Sequence, residues 1–481
     1  MLSIIWEKGL RGKTWRLLHN LNTDLKATIK TRFGNTEIID MMVGGKQGSR
    51  LTGRMFGKLM DLISEDFEEN DEGFSIAQGF RIAALLWVDD VVSCMEGKET
   101  QQKTLNTMDD FATKHKLKWG GEKCNTMKVG KHNDQPQNWK LGDIEIKETT
   151  QYKYLGDTIS SNGKNTENIE SRKNKIQATT ISIKTIASSE VLNKIETSVL
   201  LELHEKISIA GYLNNSETWI LNKGETQILE NTEIQTLKNL FDLPIHTPNS
   251  AITFTFGTIF TKLRIEQKQL TYLHRILNRD SGNWTRKILE VLKEMKIGWF
   301  SNIQAILTDH KLPTDFTTIK SMSHNEWKQK VRNAIEKKNK ERLHEECHET
   351  TNGIKKEKTK TASMTKQLAD PSYKREPRPE IQKTTKHEAK TIIIARYGML
   401  QCGKNYQGTM NKTCDKCNCI DDENHRLNYC VKWKDRNYHN ETGKVDFKLI
   451  YSNEIAVLRS ILPSIEKLWN TRNANGTMHS E

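Results

Sequence analysis

The chain has 481 residues, 35% hydrophobic and 28% charged, with 74 lysines and arginines against 61 acids and a formal charge of +13. Such a length suggests roughly two to four domains. The composition excludes a chain disordered throughout, and no run approaches the ~18 apolar residues that span a bilayer. A cationic surplus of this size favours a polyanionic partner, most simply nucleic acid.

The opening MLSIIWEKGLRGK carries a short apolar patch that Glu7 interrupts before a signal-peptide core forms. With no targeting signal, the expectation is a soluble, intracellular chain, nuclear or cytoplasmic, in which disulfides are uncommon. Residues 1 to 160 alternate short strand-like runs with amphipathic helices. In GRMFGKLMDLISEDF, Met55, Leu59, Leu62 and Ile63 fall at helical spacing. RIAALLWV and VVSCM are short enough to be strands, and predict a hairpin with Asp89 and Asp90 at its tip. LNTMDDFATKHKLKW reads as a helix and YKYLGDTIS as one aromatic, β-branched strand.

From about 165 to 330 the pattern is mainly helical. Val191, Ile195, Val199, Leu203 and Ile207 recur at four-residue steps and predict one apolar stripe. The stretch KKEKTKTASMTKQLADPSYKREPRPEIQKTTKHEAK holds three of the eight prolines and almost no large apolar residues, the composition of a basic linker or arm. TIIIARYGML restarts structure, and NEIAVLRSILPSIEKLW reads as an amphipathic helix with an internal proline.

Half of the eight cysteines fall between Cys414 and Cys430, a clustering that points to metal. Cys414, Cys417, His425 and Cys430 form a C-x2-C-x7-H-x4-C pattern. Three thiolates and an imidazole are the closed tetrahedral donor set of structural zinc, Zn2+. Cys419 is a rival for one thiolate position, that of Cys417.

Four short motifs gain meaning from their order. Gly44, Gln47, Gly48 and Leu51 lie in the glycine-rich GGKQGSRLTG. Trp87, Asp89 and Asp90 mark the hairpin, Lys123 sits in a turn, and Tyr154, Leu155 and Gly156 lie in the later strand. In this order they resemble the later motifs of the reverse transcriptases of non-LTR (LINE-type) retrotransposons. The segment SETWILNKGETQILENTEIQTLKNLFDLP looks like the helical region those elements carry after the palm, and their proteins often close on a similar cysteine–histidine cluster.

The resemblance implies an α+β fold. Residues 1–160 would form a truncated reverse-transcriptase palm, an antiparallel sheet with helices. Residues 161–330 would form a mainly helical thumb-like region, 331–390 a basic charged linker, and 391–481 a C-terminal zinc knuckle with a helical region. It implies RNA-directed DNA polymerase chemistry, with Asp89 and Asp90 as magnesium (Mg2+) ligands of a nucleotidyltransferase site. Gln47, Gly48 and Lys123 would lie on nucleotide or template, and Tyr154, Leu155 and Gly156 would grip the primer. RNA and DNA would be the partners.

The departures matter too. Trp87 stands where the family has tyrosine or phenylalanine, and Leu51, Thr52 and Gly53 stand where it has L-S-P. The family's first catalytic aspartate, in an A-F-D strand upstream of the glutamine loop, has no counterpart in the context of Asp24 or Asp40. The expectation is therefore a catalytically incomplete relative of these enzymes. The alternative is a non-catalytic, zinc-dependent nucleic-acid-binding protein.

Overall fold

The computed structural model describes residues 1–41, 49–70, 72–130, 137–187, 194–346, 348–351, 354–357, 378–397, 399–400, 412–414, 416–430 and 447–470. The chain divides into two compact units. The first is Met1–Tyr152 with Ser161–Gly163, the second Lys153–Ser160 with Lys164–Glu481. Among the described residues no helix is long and apolar enough to cross a membrane.

In the first unit the predicted stripe does the packing. The helix Arg50–Glu69 buries Met55, Leu59, Ile63 and Phe67. Leu59, Ile63 and Phe67 meet Leu105, Met108 and Phe111 of the helix Lys98–His115. Trp139, Leu141 and Ile146, from strands Trp139–Leu141 and Ile144–Glu148, close that core. Among the described residues the strands do not merge into one palm-like sheet. They form separate antiparallel hairpins and one three-stranded sheet, in which Ile144–Glu148 pairs antiparallel with Trp139–Leu141 and parallel with Asn125–Thr126.

YKYLGDTIS is not one strand. Gln151–Tyr154 and Asp157–Ser160 are paired strands joined at Leu155 and Gly156, whose φ values are 47° and 92°. Two successive positive φ angles belong to a primed hairpin turn, and glycine at the second position relieves half of the steric cost.

The second unit is helical, and here composition misplaced two boundaries. The helix His324–Glu346 runs through residue 330, where the helical region was expected to stop. It buries Trp327, Val331, Ile335, Asn339 and Leu343 at four-residue steps. Lysines and arginines fill its other faces, so average composition reads as linker while one stripe is core. Pro379–Gln382 and Lys386–Arg396 are also helices, burying Ile381 and Ala389 in that core. Most of the intervening arm lies outside the described residues.

The stripe expected from Val191 to Ile207 is only partly the buried face: Ile195 and Leu203 are half-buried against the core. Val191 lies outside the described residues, and Val199 and Ile207 are exposed. Leu200, His204, Ser208 and Ile209 point inward instead. The helix Thr197–Leu203 passes into a π-helical segment, His204–Ile209. The wider π turn takes Ile207, which lies within it, off the face a 3.6-residue period assigns, whereas Val199 is exposed on the regular helix before it. Burial, with the nearby Arg264 charge, holds the His204 imidazole down to about 4.

Arg396 ties the C-terminal segments together. Its Nη1 lies 2.6 Å from Glu380 Oε1, Nε donates to the Ile450 carbonyl at 2.8 Å, and Nη2 donates to the Ser452 carbonyl at 2.8 Å. Both charged side chains are buried. Removing one partner from such a pair leaves an uncompensated charge and costs about 3–5 kcal/mol. Glu380→Ala should therefore lower the urea-unfolding free energy of the second unit by about that much. The double change Glu380→Met with Arg396→Met should cost less than Glu380→Ala alone, which the same titration measures.

Candidate metal centre and the carboxylate hairpin

Successive residues of a strand face opposite sides. Ala84 and Leu86, with Val91 on the returning strand, pack on the core of the first unit, so Leu85 and Trp87 face outward and Trp87 is 61% exposed. The register pairs Leu85 with Val92, Leu86 with Val91 and Trp87 with Asp90, leaving Val88 and Asp89 as a two-residue turn. Val88 has a φ of 55°. A β-branched residue seldom enters that left-handed region, and strain of this kind concentrates at functional loops. Asp89 and Asp90 are both exposed at the tip. Hydration at a turn therefore makes adjacent carboxylates tolerable within an apolar sequence.

Tyr152 stands beside this hairpin. Its hydroxyl donates to the carbonyl of Lys123 at 3.3 Å, and Lys123 closes the short 3-10 turn Gly121–Lys123. Burial raises the Tyr152 phenol above its ordinary value, and the charge of Asp90 raises it further. Asp90, Lys123 and Tyr152, far apart in sequence, are thus neighbours. Sequence reading passed over Tyr152 in favour of Tyr154, although the two share one strand face. Tyr154, Leu155 and Gly156 belong to the second unit, where the Asn215 side-chain amide donates to the Leu155 carbonyl at 3.1 Å. Gln47 and Gly48 lie outside the described residues. The helix that follows them opens at Arg50, with the Ser49 hydroxyl accepting from the Thr52 N–H.

Two magnesium ions roughly 3.5–4 Å apart need carboxylate oxygens from more than one direction. Asp89 and Asp90 come from one turn. Among the described residues, no third carboxylate, histidine or cysteine converges on them. Asp40, on the strand Ile39–Met41, instead faces Lys26 at 4.0 Å. This donor set does not fit a two-metal polymerase centre.

The cysteine cluster does converge. The ligand atoms of Cys414, Cys417, His425 and Cys430 all lie within 4.8 Å of one another. The Cys414 and Cys430 sulfurs are 3.6 Å apart, and those of Cys417 and Cys430 3.9 Å apart. Zinc–sulfur bonds of about 2.3 Å at tetrahedral angles set thiolates about 3.8 Å apart, so these edges fit one zinc ion.

Local structure explains the convergence. Asp422 caps the helix Glu423–Asn428 by accepting the His425 N–H at 2.8 Å, and the Cys430 N–H donates to the His425 carbonyl at 2.8 Å. That reversal brings Cys430 back beside the histidine. Leu427, on the same helix, is buried in the core of the second unit. Cys419 does not take the place of Cys417; its sulfur lies 3.1 Å from His425 Nδ1.

Burial opposes ionisation of Cys414, but hydrogen bonds from His425, the Lys416 and Cys417 backbone N–H groups and Cys430 outweigh it and bring the thiol down to about 7. A depressed thiol value stabilises the fold above the unfolded thiol's value, and that stabilisation is lost as pH falls through about 7. Protons and zinc compete for the same thiolates. The purified chain should carry one zinc per molecule by elemental analysis, lose it in Cys414→Ser, and release it to a chelator increasingly as pH drops below neutrality.

No protein-family model matches this chain, and no curated protein matches it either.

Proposed function

We propose that this chain is a reverse-transcriptase-like protein of the non-LTR retrotransposon type that binds nucleic acid without polymerising it. One observation carries the reading: Asp89 and Asp90 stand exposed at a strained hairpin tip beside an outward-facing tryptophan, and no third carboxylate among the described residues joins them. The first half agrees with the ordered motifs of the sequence. The second removes the chemistry those motifs serve.

In phosphoryl transfer to a primer hydroxyl, positioning and charge neutralisation supply much of the barrier reduction. A pair of carboxylates on one turn offers neither a bracketed ion pair nor a fixed site for the attacking oxygen. What the chain retains is charge. With a formal +13, binding to RNA or DNA rests on phosphate contacts and counterion release. A second reading, a zinc-dependent nucleic-acid-binding protein, draws on the sulfur geometry at Cys414, Cys417 and Cys430.

Purified chain with magnesium, deoxynucleotides and a primed RNA template should give no primer extension. Extension that disappears in Asp89→Asn would overturn the proposal. Affinity for a single-stranded RNA, measured by fluorescence anisotropy, should fall by orders of magnitude between roughly 50 and 200 mM salt. Cys414→Ser that binds as tightly as wild type would set the zinc-dependent reading aside.

A further inference from the structure

The cysteine cluster contains one sulfur more than a tetrahedral site uses. Cys419 is held opposite Cys414 by the backbone. The Cys414 N–H donates to the Cys419 carbonyl at 2.8 Å, and the Asn418 N–H donates to the Cys414 carbonyl at 2.9 Å. Thr413 and Ile420 form an antiparallel bridge alongside. Asn418, with a φ of 51°, makes the reversal that places Cys417 on one side of the turn and Cys419 on the other. The Cys419 sulfur consequently lies 3.1 Å from His425 Nδ1 and 3.7 Å from Nε2. It sits on the exposed side of the cluster, while His425 is buried.

We propose that Cys419 is a reserve zinc ligand, able to take the apex that His425 occupies and convert a three-sulfur, one-nitrogen site into a four-sulfur one. Three cysteines supply a sulfur face, two of whose edges already match tetrahedral zinc. The fourth apex belongs to whichever donor reaches it, and zinc accepts imidazole nitrogen and thiolate with bond lengths of about 2.0–2.1 and 2.3 Å. A sulfur within 4 Å of both ring nitrogens reaches the vacated apex by side-chain rotation, because the Cys419 backbone is already fixed by its pairing with Cys414. The Cys419 thiol loses its proton to solvent as its sulfur binds. The site then carries one more negative charge, with no change in oxidation state.

The test uses the full chain and cobalt(II) as the probe metal, since thiolate-to-cobalt charge-transfer absorption reports how many sulfurs are bound. Wild type and Cys419→Ser should each bind one cobalt with a three-thiolate spectrum. His425→Ala should still bind one cobalt, now with the stronger four-thiolate absorption, and the double variant His425→Ala with Cys419→Ser should bind none. Thiol alkylation read by mass spectrometry gives an independent measure. Cys419 should be labelled in metal-loaded wild type and protected in metal-loaded His425→Ala.

His425→Ala that keeps the wild-type helical circular dichroism but binds no cobalt would overturn the proposal. So would retained cobalt with Cys419 still open to alkylation. Loss of metal from Cys419→Ser alone would also overturn it, by making Cys419 a primary ligand.

Discussion

The architecture of the second unit turns on a buried arginine. Arg396 reaches Glu380 with one arm of its guanidinium and the carbonyls of Ile450 and Ser452 with the rest. Glu380 lies on one stretch of chain and Ile450 and Ser452 on another, and the two stretches are far apart in sequence. A guanidinium is always charged and presents several donors in a rigid plane, so it joins segments that apolar contacts alone would leave free to slide. Ile392, Ile393 and Ile394 precede it on the same helix, all buried among residues that include Trp327 and Leu273. The charged anchor and the apolar packing therefore act on one element. Leu427 of the cysteine cluster enters the same core, so the cluster is built on this framework rather than on a separate module.

The two candidate sites show opposite physical designs. The hairpin is open. Its carboxylates are hydrated, its tryptophan faces outward, and its turn holds a valine in an unfavourable backbone region. The cysteine cluster is closed, with Cys414, His425 and Cys430 buried and their spacing set by a capped helix and a backbone reversal. A closed donor set suits structural zinc, whereas an open pair of like charges needs a ligand or partner to become a defined site. Tyr152 softens that contrast, because a half-buried phenol that feels the Asp90 charge and is hydrogen-bonded to the Lys123 carbonyl gives the hairpin one fixed neighbour.

Two further polar contacts tie the helix His324–Glu346 into the second unit. Arg342 makes a two-pronged contact with Glu230, at 2.6 and 2.8 Å, while its guanidinium lies 3.9 Å from the centre of the Phe260 ring. Trp327, the largest fully buried side chain, donates its indole N–H to the Leu270 carbonyl at 2.9 Å. These contacts explain how a helix as charged as His324–Glu346 belongs to the core: its charges either reach water or meet a partner.

Local signals were legible in the sequence wherever one period or one turn decided the outcome. The stripe through Met55, Leu59 and Ile63, the hairpin around Asp89 and Asp90, and the convergence of Cys414, Cys417, His425 and Cys430 all rest on spacings of a few residues, which chain geometry converts directly into shared faces. Three features needed the tertiary structure. The π segment at His204–Ile209 departs from the 3.6-residue period, so Ile207 leaves the face that period assigns it. The helix carrying Trp327, Val331 and Ile335 hides in an arm-like composition because only contact with other helices separates its core stripe from its charged faces. Neighbours such as Tyr152 with Asp90, or Cys419 with His425, form across loops whose course no local period records. The sequence by itself determined which residues could do chemistry; folding decided which of them meet, since meeting depends on long-range packing that short spacings do not encode.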